Sequence, residues 1–167
     1  MMLTGVIPGI ASASASSKEY KLKAAYLLNF ARFVYWPEEA FEKTGNNFNL
    51  CVYGESPFGE NLDKLSSKKI LKRNIKLSYV KSLEESSACH IVFICSSEEA
   101  ELENLITDLP DRIMLTVSDI EGFSAGGGMI EFVRVGNKIK FEINVKESTK
   151  QGIKYRSQLL EVAEHLR

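Results

Sequence analysis

Apolar residues between Lys18 and Trp36 fall almost all the way round a helical wheel, and the pattern predicts a long helix there. Leu22, Leu27, Leu28, Phe30, Ala31, Phe33 and Val34 cover most of the circumference, while Lys18, Lys21, Asn29 and Arg32 leave a narrow polar stripe. A helix of that kind is buried on more than one side. Two placements are open: sandwiched within its own domain, or with one face against another chain. Pro37 ends it, since the residue before proline avoids the helical region.

Beyond Pro37 the period shortens. Phe48 to Tyr53 and His90 to Ile94 are continuous apolar runs, as in strands buried on both faces. Arg112 to Val117 predicts another such strand. Asn74 to Val80 alternates through Ile75, Leu77 and Tyr79, predicting a half-buried one. Phe58 to Leu65 carries Phe58, Leu62 and Leu65 at helical spacing. Ser96-x-x-Glu99 is a capping box opening a helix to about Leu109. Met129 to Val135, Gly136-Asn137 and Lys138 to Val145 form strand, tight turn, strand. Tyr155 to Leu166 closes with Leu159, Leu160, Val162, Ala163 and Leu166 on one helical side. Strands and helices alternate for two-thirds of the chain, which calls for a parallel sheet. The expected fold is a single α/β domain over residues 18–167, with a mixed, mainly parallel central sheet flanked by helices, plus a C-terminal β-hairpin and helix.

Composition narrows the function. Lys and Arg number 21 against 22 Asp and Glu, a balance that disfavours a nucleic-acid partner. With only His90 and His165, a histidine-rich metal site is not expected. Residues 1–17 carry no charge and end in ASASASS. Ala13-x-Ala15 fits a signal-peptidase site with cleavage before Ser16, so residues 1–17 are expected to be a signal peptide or its remnant, although no Lys or Arg precedes the apolar stretch.

Catalytic motifs fail one by one. Gly54-x-x-x-x-Gly59 has Glu60-Asn61 where a phosphate loop needs Lys-Ser/Thr. Ser56 stands in G-x-S-x-x-G, one residue too long for a nucleophile elbow. Gly126-Gly127-Gly128 opens no helix, and predicts backbone at positive φ or in close approach to a neighbour. Asp119 and Glu121 read first as exposed loop acids. Cys89 and Cys95 would lie ~20 Å apart on one strand at ~3.3 Å per residue, too far for one zinc. No metal, no cofactor and no enzymatic activity are expected.

Cys51 falls in the first strand and Cys89 just before the third. In a doubly wound sheet of order 2-1-3 those strands are neighbours, so a disulfide is within reach, and so is a pair of buried thiols. Export favours the bridge. Cys95 is left over.

Six segments, in order, carry a resemblance: KAAYLLNFARFVYWP (23–37), LCVYGESPFG (50–59), ACHIVFI (88–94), LTVSDIEGFSAGGGMI (115–130), IKFEIN (139–144) and SQLLEVA (157–163). Together they resemble the YfiR/HmsC-like periplasmic proteins of bacteria. The resemblance implies an exported α/β homodimer without catalytic activity. It implies a partner too: the best understood members bind the periplasmic sensor domain of an inner-membrane diguanylate cyclase and hold it off. An outer-membrane lipoprotein can sequester them, after which cyclic-di-GMP rises and biofilm forms. The family's disulfide matches Cys51 and Cys89. The second disulfide of some members has no counterpart, since no cysteine follows Cys95, and Tyr155-Arg156 replaces a more usual apolar-small pair.

Two surfaces are therefore candidates for contact with a partner. One is the crowded first helix with its aromatic end: Leu27, Phe30, Phe33, Val34, Tyr35 and Trp36. The other is the loop bearing Phe123, Gly126, Gly127 and Gly128. The alternative, a periplasmic small-molecule-binding module coupled to another sensor or receptor, would place its ligand beyond the carboxyl ends of the strands, at Ser56, Ser96, Ser97 and Asp119.

Overall fold

A computed structural model describes residues 9–167, with side chains from Ser16 onward. The first part of the expected signal peptide, residues 1–8, lies outside the described residues. Helix α1 (Gly9–Phe33) runs through the expected cleavage point before Ser16. Among the described residues no helix is long and apolar enough to cross a membrane.

The strands follow as β1 (Val34–Tyr35), β2 (Asn47–Tyr53), β3 (Lys69–Ile70), β4 (Arg73–Val80), β5 (Ile91–Ile94), β6 (Leu115–Ser118), β7 (Ile130–Val135), β8 (Lys138–Ile143), β9 (Lys154–Tyr155) and β10 (His165–Leu166). Helices α2 (Leu102–Thr107), α3 (Phe123–Gly126), α4 (Val145–Lys150) and α5 (Ser157–Val162) lie between them. Eight strands form one sheet in the order β10-β8-β7-β6-β5-β2-β4-β3. The run β4-β2-β5-β6-β7 is parallel, and β8 returns antiparallel in a hairpin. This is the mixed α/β domain expected, with β2 between β4 and β5 as the 2-1-3 order requires.

The sheet has two unequal faces. On one, α1 lies across Phe48, Leu50, Ile91, Phe93, Leu115, Ile130 and Phe141 in the main core. On the other, Cys51, Cys89, Val92, Ile94, Met114 and Phe123 pack under α2 and α3 as a smaller core. Strand β5 is buried throughout because it serves both. That arrangement settles the placement of the first helix: Leu27, Phe30 and Val34 are at most 1% exposed within their own domain.

Several boundaries differ from expectation for identifiable reasons. Helix α1 stops at Phe33 rather than Trp36, because Val34 and Tyr35 pair antiparallel with Tyr155 and Lys154. The Arg156 N–H donates to the Phe33 carbonyl at 2.8 Å, and this clasp satisfies backbone that a longer helix would have used. The expected helix from Tyr155 to Leu166 is therefore β9, a short α5 and β10. Of its expected inward side, only Leu159 is buried, and Val162 and Leu166 are exposed. The segment from Phe58 to Leu65 forms two 3-10 turns, yet its three apolar residues are buried. Ser96 makes no capping hydrogen bond, and Ser96–Glu101 is 3-10 before α2 begins. Tyr79, expected on the covered face of its half-buried strand, is 52% exposed. Strand β8 ends at Ile143 because the Asn144 side chain caps α4, accepting from the Glu147 N–H at 3.0 Å.

The hairpin joining β3 to β4 turns on two residues, Leu71 and Lys72, at φ 49° and 66°. Two positive φ values in a two-residue loop suit Asn-Gly, and each costs a larger residue about 1 kcal/mol. Replacing Leu71-Lys72 by Asn-Gly is expected to stabilise the protein by about 1 kcal/mol or more, read as a higher urea midpoint with an unchanged m-value. A lower midpoint would show that this turn is not strained.

Candidate functional site

The carboxyl ends of β5 and β6 bring together charges scattered in sequence. Asp119 leaves β6 beneath α1. Its Oδ2 accepts from the Tyr20 hydroxyl at 2.6 Å and from the Lys23 ammonium at 2.7 Å. Lys23, 3% exposed, also meets the Glu19 carboxylate at 2.6 Å. Arg134 of β7 closes the chain on Glu19. Four charges thus alternate in sign, from Arg134 through Glu19 and Lys23 to Asp119. The Lys23 ammonium lies 4.4 Å from the centre of the Tyr20 ring. Burial, and then the hydrogen bond to Asp119, push the Tyr20 hydroxyl pKa well above its ordinary value, so it remains a donor.

Asp119 is therefore no exposed loop acid. The other residues of the expected crevice divide. Ser96 borders the same cavity as Asp119. Ser97 is engaged elsewhere, its oxygen accepting from the Glu55 N–H at 2.9 Å. There it stands where a Cβ on Gly54 would be, only 2.6 Å away. The Ser56 oxygen accepts weakly from the Phe58 N–H at 3.4 Å, within its own turn. Lys23, Glu19, Tyr20 and Arg134 were not expected; a buried lysine in a helix that reads as apolar was the available signal.

On the opposite face Cys51 and Cys89 form a disulfide with Cα atoms 5.9 Å apart. Cys51 is 1% exposed and Cys89 5%. Cys95 lies on the α1 face, buried and free. Its burial, with the nearby negative charges of Asp119 and Glu98, pushes the thiol pKa up to about 12. It stays protonated and is a poor nucleophile at neutral pH.

Next to Cys89 in sequence, His90 is enclosed by rings. Phe41 and Phe48 stack on it at 4.6 and 4.8 Å between centroids, and Trp36 meets it edge-on at 5.9 Å. The Asn49 N–H donates to Nδ1 at 2.8 Å, so Nε2 carries the proton and faces the Ala40 carbonyl at 2.9 Å. Burial lowers the His90 pKa to about 4. The folded state therefore resists a proton that the unfolded chain accepts near 6.5. Stability is complete above that value, and falls by about 1.4 kcal/mol per pH unit on account of His90 as pH drops toward 4. Urea titrations of wild type and His90→Gln across this range are expected to differ in slope by one proton. Equal slopes would show that His90 is not the group responsible.

The two expected contact surfaces are reshaped by the fold. Leu27, Phe30 and Val34 face inward and offer nothing to a partner. Phe33 and Trp36 are half-buried, and the Trp36 indole donates to the Ala31 carbonyl at 2.8 Å. Tyr35 is the exposed one, at 52%, with the Arg156 guanidinium 4.4 Å over its ring. In the second surface Phe123 is fully buried. The loop is held from behind: buried Glu131 accepts from the Gly122 and Ser124 N–H groups at 3.0 and 2.8 Å. The glycines are there for space. A Cβ on Gly126 or Gly127 would lie 2.8 or 2.9 Å from Ile106, and Gly127 also has φ +125°.

A mixed α/β domain with a disulfide joining β2 to the approach of its neighbour β5 defines the structural class. Within it, a YfiR/HmsC-like family model matches residues 20–164, and the chain belongs to that family. Among curated proteins, none matches the sequence. Among solved structures, a Streptococcus pneumonia protein described as "the ABC domain in complex with L-Trp" superposes with a TM-score of 0.52 at 12% identity. The match covers 78% of this chain and 58% of that one, and shows a shared fold.

Proposed function

We propose that this protein is a periplasmic, non-enzymatic regulator that binds the sensor domain of an inner-membrane diguanylate cyclase and holds it inactive. The match over residues 20–164 carries the reading, because the family supports a regulatory role in the periplasm connected with cyclase control. The buried Cys51–Cys89 bridge is consistent with an oxidising compartment. Residues 1–15 would then be the leader, removed by cleavage before Ser16. The same proposal includes a homodimer, and an outer-membrane lipoprotein as the factor that draws the regulator away. Tyr35, aromatic and exposed, is the residue of the expected helix surface best placed to anchor a partner.

The test is genetic and biochemical. Deleting the gene in its own host is expected to raise cyclic-di-GMP, and the wild-type chain is expected to restore it. The oxidised protein is expected to retain a diguanylate cyclase from detergent-solubilised membranes. Unchanged cyclic-di-GMP with no retained cyclase would overturn the proposal, and retention of a sensor kinase or receptor instead would replace the cyclase as partner.

A further inference from the structure

Asp119 satisfies only half of its carboxylate. Its side chain is 7% exposed, and Oδ2 takes both the Tyr20 and the Lys23 hydrogen bonds. Oδ1 is buried and has no hydrogen-bond partner. A buried acceptor without a partner costs about 1–3 kcal/mol, more when charged, which a donor placed against it would recover. A cavity of about 290 Å³ borders this carboxylate, with Tyr20, Lys23, Ser96, Phe132 and Arg134 among its walls. It lies at the carboxyl ends of β5 and β6, the edge where open α/β sheets hold their ligands. Its volume is at the lower limit for small-molecule pockets.

The charges around the cavity decide what fits. Lys23 and Arg134 are matched by Glu19 and Asp119 through direct ion pairs. A cation entering would meet Lys23 and Arg134, and an anion would meet Glu19 and Asp119. Neither finds an uncompensated opposite charge. What Asp119 lacks is a hydrogen-bond donor. The Ser96 hydroxyl, which can donate and accept, stands on the same wall. We propose that this cavity binds an uncharged polyhydroxylated ligand the size of one sugar ring. As the ligand enters, the Asp119 carboxylate turns its buried Oδ1 toward the cavity and accepts from one ligand hydroxyl, while a neighbouring hydroxyl exchanges a hydrogen bond with Ser96.

The site shares no residue with the Tyr35 surface, so its success or failure leaves the cyclase reading standing, and the reverse also holds. The test is titration calorimetry of the purified protein with D-glucose, D-galactose and D-mannose, with glycine and magnesium chloride as charged controls. At least one sugar is expected to give a saturable isotherm. Asp119→Asn and, separately, Ser96→Ala are each expected to weaken it by about tenfold or more. Ser96 is exposed and makes no capping bond, so Ser96→Ala keeps the fold and decides the matter should Asp119→Asn fail to fold. No saturable binding by any of the sugars overturns the proposal. So does binding that folded variants leave unchanged, or tighter binding of glycine or magnesium that depends on Asp119.

Discussion

Reducing the Cys51–Cys89 bridge is expected to lower the unfolding free energy by about 3–4 kcal/mol, the loop-closure value for the 38-residue separation. The closed loop contains β3 and β4 with their connecting turns, so opening it frees a quarter of the unfolded chain to explore more conformations. Urea melts with and without dithiothreitol give the difference directly. Cys95 does not confuse the result, because its buried, protonated thiol is slow to attack a disulfide. A difference below about 1 kcal/mol would show that the bridge adds little to a sheet already held by its strand pairs. The expected size also bounds any redox control: reduction loosens the β2–β5 region without unfolding a domain of ordinary stability, about 5–15 kcal/mol.

Gly128→Ala is expected to cost about 3 kcal/mol, near the upper end for overpacking a filled core. The new methyl would stand 2.2 Å from the Phe123 ring. That ring cannot retreat, since Phe123 is fully buried and its loop is pinned by Glu131 through Gly122 and Ser124. Gly136→Ala is the control. Gly136 has φ +61° but open space around it, so its substitution reports backbone strain alone, about 1 kcal/mol. Thermal melts of the two variants separate the effects. A Gly128→Ala loss no greater than that of Gly136→Ala would mean that the loop yields.

The sheet was legible in the sequence because its strands are written as apolar runs. Phe48–Tyr53, His90–Ile94 and the hairpin around Gly136-Asn137 appear within a residue or two of expectation. Their order alone puts Cys51 and Cys89 within reach of one another. Features that depend on distant partners were hidden. Val34-Tyr35 looks like the end of a helix, and becomes a strand only because Lys154-Tyr155 is beside it. Ser97, in a segment that reads as a helix start, is drawn to the Glu55 N–H across the crevice. The Leu71-Lys72 turn carries none of the residues such turns prefer. The candidate site was half legible: Asp119 and Ser96 were placed at the right edge of the sheet. Their charged partners come from α1 and β7, and Lys23 lies 96 residues from Asp119. Local pattern cannot supply such a separation.

The pairing of β1 with β9 also bears on the order in which the protein folds. The residues that meet there are far apart in the chain, Val34 against Tyr155. A contact so distant in sequence forms only after a long loop has closed, an entropic cost that the local hairpin of β7 and β8 does not carry. The clasp at the end of α1 is therefore expected to close late, after that hairpin, and to gain hydrogen-exchange protection later in refolding.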